Sequence, residues 1–177
     1  MVEKAKAKKR ADYRFPVFYE MDMRKIANNF EPESFDAVIC FGNTLVHLLT
    51  HKDIDRFIGA VSEILKSSGS FMLQILNYDH ILNSRIDQLP VIENEEIRFE
   101  RFYGFRKDNL IDFRTNLTVK SENLSIDNLI QLNPIRGNEI VKLLEKHNFH
   151  DIKLYGDFKM NPLEVDSLPF VLHAIKR

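Results

Sequence analysis

Three short runs of this chain end an apolar stretch in side chains that can bind a ligand or move a proton. The first is Met21-Asp22-Met23. The second is Phe41-Gly42-Asn43-Thr44, continuing to His47. The third is Asn77-Tyr78-Asp79. An ionised carboxylate only accepts hydrogen bonds, whereas an amide and a phenol both donate and accept. An imidazole titrates near neutrality, and a glycine lets a ligand come close to the backbone. Such a set fits a small-molecule site if the preceding runs are parallel strands, because open α/β sheets bind ligands outside the C-terminal ends of their strands. Each residue also has a plainer use. Asp22 suits a helix N-cap. Asn43 and Thr44 suit a turn. His47 suits a satisfied core histidine, Tyr78 a packed aromatic, and Asp79 with His80 the start of a helix.

Elements of both kinds, helix and strand, must carry these residues. Val2–Arg10 reads as the end of a polar helix, Phe15–Met21 as a short strand, and Met23–Asn29 as a helical turn. Phe35–Phe41 is a nearly continuous apolar run, the pattern of a strand buried on both faces of a parallel sheet. Ile54, Phe57, Ile58, Val61, Ile64 and Leu65 share one face of a helix that Gly69 is expected to stop. Ser70–Leu76 reads as a second buried strand. Strand, helix and strand with short turns make a βαβ unit with parallel strands. Beyond it the pattern alternates. Glu96–Phe105 and Leu110–Lys120, turning at Lys107–Asn109, and then Ser125–Leu132, read as an antiparallel sheet with one wet face. A helix over Asn138–His147, a strand at Ile152–Tyr155, a loop over Gly156–Ser167 and a strand at Phe170–Ile175 complete the chain.

Composition narrows the function. Lys and Arg number 25 against 26 Asp and Glu, so no global charge excess points to nucleic acid or an anionic membrane. The basic cluster from Lys4 to Arg10 reads as a solvated helix face. One cysteine, Cys40, allows no internal disulfide and no Cys-based metal site, which suits a reducing, cytoplasmic setting. No apolar stretch is long enough for a membrane helix, and the N-terminus shows no signal core.

Phe35–Leu48 (FDAVICFGNTLVHL) resembles the fourth motif of class I S-adenosylmethionine-dependent methyltransferases, in the form found in glycine N-methyltransferase-like enzymes. Asn77–Leu82 (NYDHIL) is similar to the segment after the fifth strand in that group. Asp22-Met23-Arg24 is similar to the motif closing its third strand, and Leu143–Phe149 to its closing helix. The resemblance implies an α/β fold: a Rossmann-like class I methyltransferase sheet, C-terminal part, strands three to seven, with an inserted antiparallel sheet. Residues 1–177 would be a single partial methyltransferase domain, with 96–132 as a lid over the substrate. It implies S-adenosyl-L-methionine as cofactor and a small-molecule acceptor. Asp22 would accept from the adenine amino group and the Met23 N–H would reach a ring nitrogen. Phe41 and Gly42 would line the methionine arm. His47 would lie by the cofactor's carboxylate or methyl donor, and Asn43 would point toward the acceptor. Tyr78 would position the nucleophile, making His47 and Tyr78 the catalytic candidates.

Two departures accompany the resemblance. The family's first strand, its glycine-rich loop and the acid after its second strand are absent. The chain is therefore expected to be truncated, degraded or half of a split enzyme. The edge of the Phe35–Phe41 strand would then be unpaired and apolar, a pairing hazard. A non-catalytic interaction protein, a homo-oligomer or a subunit completed by a partner is the alternative. The glycine enzymes also carry an arginine where this chain has Leu76, which argues against glycine itself as acceptor. In the lid, Phe99, Arg101, Tyr103, Phe105 and Arg114 either line a substrate site or form cross-strand pairs on a solvated sheet. A dehydrogenase fragment would leave the Phe35–Leu48 motif without a role.

Overall fold

Two four-stranded sheets organise the computed structural model, which describes residues 2–8 and 16–177. The first sheet has the order β1-β2-β8-β7, formed by β1 (Phe35–Cys40), β2 (Leu65–Leu76), β7 (Phe149–Tyr155) and β8 (Pro169–Lys176). The second has the order β3-β4-β5-β6, formed by β3 (Gln88–Glu93), β4 (Ile97–Phe105), β5 (Ile111–Val119) and β6 (Leu124–Leu132). Helices α1 (Val2–Lys8), α2 (His51–Ile64), α3 (Tyr78–Asn83) and α4 (Gly137–Lys146) complete the elements needed below.

The expected βαβ unit forms. β1 pairs parallel with β2 across α2, with Val38 opposite Phe71 and Cys40 opposite Leu73. β8 pairs antiparallel with β2 and β7. Alternation sends Val38, Cys40, Phe71, Leu73, Ile75, Phe170, Leu172 and Ala174 to one face of this sheet. The amphipathic helices α2 and α4 cover that face through Ile54, Phe57, Ile58, Val61, Ile140 and Leu144, all buried. Thr50 caps α2 by accepting from the Asp53 N–H at 3.1 Å.

Several expectations are corrected. Phe35–Cys40 is a strand, but it is covered on one face only, and Ile39 on the other face is 62% exposed. The parallel-sheet pattern needs a layer on each side, and no described element lies over Ile39. Among the described strands β1 has β2 as its neighbour, and its other edge is open. The strand expected at Phe15–Met21 does not form over 16–21, and Tyr19 is 58% exposed. A strand is held by a ladder to a neighbour, and no described strand pairs with this segment. Gly69 does not stop α2: the helix ends at Ile64 and the chain enters β2 at once. Gly69 instead serves a tight detour inside β2, where a Cβ would come within 2.8 Å of the Lys66 carbonyl oxygen. β3, with Pro90 in its middle, is hidden by its short, proline-interrupted sequence and widens the second sheet beyond 96–132.

The second sheet is not independent of the first. Leu89, Tyr103, Ile111 and Leu132 join Leu45, Val46 and Tyr78 in one core. At the end of β6, the Asn133 N–H donates to the Val46 carbonyl at 2.8 Å, fixing that sheet beside the turn after β1.

Candidate active site

The ends of β1 and β2 are laced together by side chains. After β1, Gly42 and Asn43 both take positive φ, 75° and 61°. The left-handed turn suits glycine and asparagine. It brings the Gly42 N–H onto Gln74 Oε1 at 2.8 Å and the Asn43 N–H onto the Gln74 carbonyl at 3.2 Å. The Asn43 side chain then points across to β2. Its Oδ1 accepts from the Leu76 N–H at 3.0 Å, and its Nδ2 donates to Tyr78 Oη at 3.1 Å. Asn43 is thus a turn residue and a brace between strand ends at once. Thr44 takes the plainer role, its hydroxyl donating to the Phe41 carbonyl at 2.7 Å.

Tyr78 opens α3, which Asn77 caps by accepting from the His80 N–H at 3.3 Å. The Tyr78 ring is 1% exposed. Burial pushes its phenol up to about 12, an effect the Asn43 hydrogen bond partly offsets. The hydroxyl is therefore neutral at physiological pH, and it can position a group but has no charge to act as a base. Above it lies Tyr103 of β4, 4% exposed, whose ring packs on Phe113 at 5.3 Å. Burial raises the Tyr103 phenol further, helped by the Tyr78 phenol beside it. Tyr103 Oη nevertheless has no hydrogen-bond partner of acceptable geometry.

Asp22 stands elsewhere. It caps the 3₁₀ turn Met23–Asn28 by accepting from the Arg24 N–H at 2.9 Å, and the Arg24 guanidinium folds back on both its oxygens, at 2.6 Å for the shortest contact. Arg24 also reaches Asp53 of α2 at 3.3 Å. The Arg24 side-chain hydrogen bonds, followed by its backbone N–H, hold the Asp22 carboxyl down at about 2. Because the folded value is depressed, the ionised form stabilises the fold above the ordinary value of 3.8, and that contribution is lost as pH falls toward about 2. Thermal melts between about pH 4 and about pH 2 should therefore show Asp22→Asn losing less of its midpoint than the parent protein.

His47 ends the 3₁₀ turn Leu45–His47 and is exposed, so it is not a core histidine. Phe41 is half-buried and meets Phe158 edge-on at 5.2 Å. A Cβ on Gly42 would meet nothing within 4 Å, so the backbone there faces open space. Met23 is half-buried at the start of its 3₁₀ turn. Asn43 and Tyr78 are in direct contact, while Asp22 and Met23 are tied to α2 and not to that pair. Asp79 turns out to be structural. Its oxygens accept from Arg136 Nη1 at 2.8 Å and from the Gly137 N–H at 2.9 Å, joining α3 to the start of α4. A cleft of about 640 Å³ bounded by His51, Arg85, Phe105, Arg106 and Arg136 contains none of the strand-end residues picked from sequence. Two of its cations are already neutralised, Arg106 by Asp108 and Asp112 and Arg136 by Asp79.

The lid residues separate by face. Phe99, Arg101, Tyr103 and Phe105 alternate onto one side of β4, the side on which Tyr103 enters the core. Arg114 lies on the other side, stacked 5.1 Å over Phe102, as a cross-strand pair should. Sequence reasoning could name these residues but not divide them, because alternation does not say which face is covered.

A family profile described as a methyltransferase domain matches residues 1–69. The chain is 29% identical over 160 residues to a glycine/sarcosine N-methyltransferase of Aphanothece halophytica, covering 88% of this chain and 56% of that protein. It is 26% identical over 145 residues to a glycine/sarcosine/dimethylglycine N-methyltransferase of Actinopolyspora halophila, covering 81% of this chain and 24% of the relative. The chain thus spans little more than half of the first relative and about a quarter of the second. Among solved structures, an S-adenosylmethionine-dependent methyltransferase from Clostridium acetobutylicum superposes with a TM-score of 0.77 at 16% identity, over 98% of this chain and 67% of that one. The CcbJ methyltransferase from Streptomyces caelestis does so with a TM-score of 0.68 at 14% identity, over 82% and 59% of the two chains.

Proposed function

We propose that this chain is a member of the class I S-adenosylmethionine-dependent methyltransferase family and supplies the acceptor side and part of the cofactor side of an enzyme that methylates a small amine. The observation that carries this reading is the Asn43–Tyr78 bond at the shared C-terminal end of β1 and β2, roofed by the second sheet. Parallel strands bind ligands at that end, and the first relative is named for glycine and sarcosine.

The residues present fit part of the cofactor. Asp22 is ionised and acceptor-only, the type an exocyclic amine needs, but Arg24 holds both its oxygens and has to yield one of them to a ligand. Gly42 leaves open space at its Cα. His47 is exposed close after that turn. The chain's six glycines are scattered, with no two close enough in sequence to form a glycine-rich loop. When bound, S-adenosylmethionine supplies an activated methyl group. The protein's share is positioning, which can contribute several orders of magnitude to a displacement between held partners. Asn43 and neutral Tyr78 orient the acceptor, and His47 is the local group able to take the proton that the amine releases.

A second reading rests on β1. Its open edge and the exposed Ile39, with Phe158 and Met160 at 62% and 63%, form an uncovered apolar margin beside the same site. On that reading a second polypeptide, or another copy, covers the margin and completes the site, and the chain alone does no chemistry.

Calorimetric titration of the protein, at its native length, with S-adenosylhomocysteine tests the proposal, alongside methyl transfer to glycine and sarcosine. Gly42→Val is the control. Its Cβ would meet nothing within 4 Å, its left-handed backbone costs about 1–2 kcal/mol, and its branches extend into the space before the turn. Saturable binding that weakens about tenfold or more in Gly42→Val supports the reading. Binding unaffected by Gly42→Val, or methyl transfer absent while cofactor binds, would sink it.

A further inference from the structure

Three buried side-chain polar atoms lack any hydrogen-bond partner among the described residues: Arg101 Nε, Tyr103 Oη and His150 Nδ1. Two of the three sit on one face of one strand, two residues apart. An unsatisfied buried donor costs about 1–3 kcal/mol, so two side by side mark a place where a polar partner belongs. Arg101 is also uncommitted in charge. The arginine ion pairs among the described residues use Arg24, Arg98, Arg106 and Arg136. Arg101 is held in place by other means, with Nη2 donating to the Pro90 carbonyl at 2.7 Å and its guanidinium 5.6 Å from the centre of the Phe99 ring. It is thus fixed in position without being neutralised.

From Arg101 a row of polar groups runs to the strand ends. Tyr103 follows on the same face of β4 and lies within reach of the Arg101 charge. Its hydroxyl neighbours Tyr78, and Tyr78 Oη accepts from Asn43.

We infer that Arg101 and Tyr103 anchor the acceptor, with the Arg101 guanidinium taking its carboxylate and Tyr103 Oη its amine. The acceptor class is then a small amino acid or N-methylated amino acid, bound as a zwitterion. This deepens the methyltransferase reading and resolves a conflict within it. Leu76 cannot pair a carboxylate, yet relatives of this chain are named for glycine and sarcosine. A cation delivered from the second sheet does from above what β2 does not do from below.

The test compares sarcosine with its uncharged amide, sarcosinamide, by ligand-observed NMR titration of the native-length protein, Arg101→Gln, Arg101→Lys and Tyr103→Phe. A charge-assisted bond predicts a preference for the acid of about tenfold to a hundredfold. Arg101→Gln should bring the two ligands to near parity, Arg101→Lys should keep part of the preference, and Tyr103→Phe should weaken both ligands together. A preference that survives Arg101→Gln overturns the inference, and so does a parent protein that binds neither ligand or both alike. Circular-dichroism melts of each variant separate a folding defect from a lost contact. S-adenosylhomocysteine titration of the same samples keeps the two readings apart. Cofactor binding intact in Arg101→Gln with unchanged acid preference rejects the anchor alone.

Discussion

Truncating Phe71 to alanine is expected to lower unfolding free energy by about 3–5 kcal/mol, a large part of the roughly 5–15 kcal/mol that holds a domain together. Phe71 is fully buried, at 0% exposure, in the middle of β2. Its ring packs on Phe57 of α2 at 6.4 Å and on Phe149 of β7 at 5.8 Å. It therefore joins the βαβ unit to the closing hairpin, and its removal opens a cavity that three elements share. Neither Phe57 nor Phe149 is free to move into it, since both are nearly fully buried on other neighbours. Urea unfolding should show a lower midpoint with an unchanged slope. Leu129→Ala, on the outer side of the second sheet with 62% exposure, is the control and should shift stability by about 0.5 kcal/mol or less.

Asn43→Ala should show the second large effect, about 3 kcal/mol or more, and it falls on the site itself. The substitution removes both amide contacts, leaving the Leu76 N–H and the buried Tyr78 hydroxyl without Asn43. Each group so stranded costs about 1–3 kcal/mol. The backbone adds about 1–2 kcal/mol, because φ of 61° is tolerated by asparagine and resisted by alanine. Asn43→Gly separates the two parts. It relaxes the backbone but restores neither contact, so it should recover about 1–2 kcal/mol of the loss and none of the ordering of Tyr78. Denaturant midpoints of the two variants measure this difference. Equal midpoints would mean that the turn carries no strain.

The local elements were legible in the chain because the patterns that encode them are local. Ile54, Phe57, Ile58 and Val61 recur at the helical period and make α2 amphipathic wherever it docks. The apolar runs on either side of it suit parallel strands, and a right-handed crossover leaves few other arrangements. The polar residues at the strand ends were legible for the same reason: Asn43 and Tyr78 come directly after strands whose ends the pattern itself marks. Burial and partnership were not legible, because they depend on what lies opposite. The stretch before Asp22 has strand-forming residues yet takes no strand, since a ladder needs a neighbour. Phe35–Phe41 reads as doubly buried, yet Ile39 faces out because no described element covers that side. Gly69 has the spacing of a helix stop, yet it is needed where β2 nearly touches its own backbone. In the second sheet, period-two alternation puts Arg101 and Tyr103 on one face of β4, but only the register that sets Arg114 against Phe102 placed Arg114 on the other face, and only packing against Leu45, Val46 and Tyr78 decided which face was dry. The residue types and the strand ends were thus fixed along the chain. Tertiary packing alone decided that Tyr78 is a buried neutral phenol and that Arg101, outside the ion pairs of the described residues, lies near Tyr103, because desolvation and unmet hydrogen bonds exist only once two sheets have closed on each other.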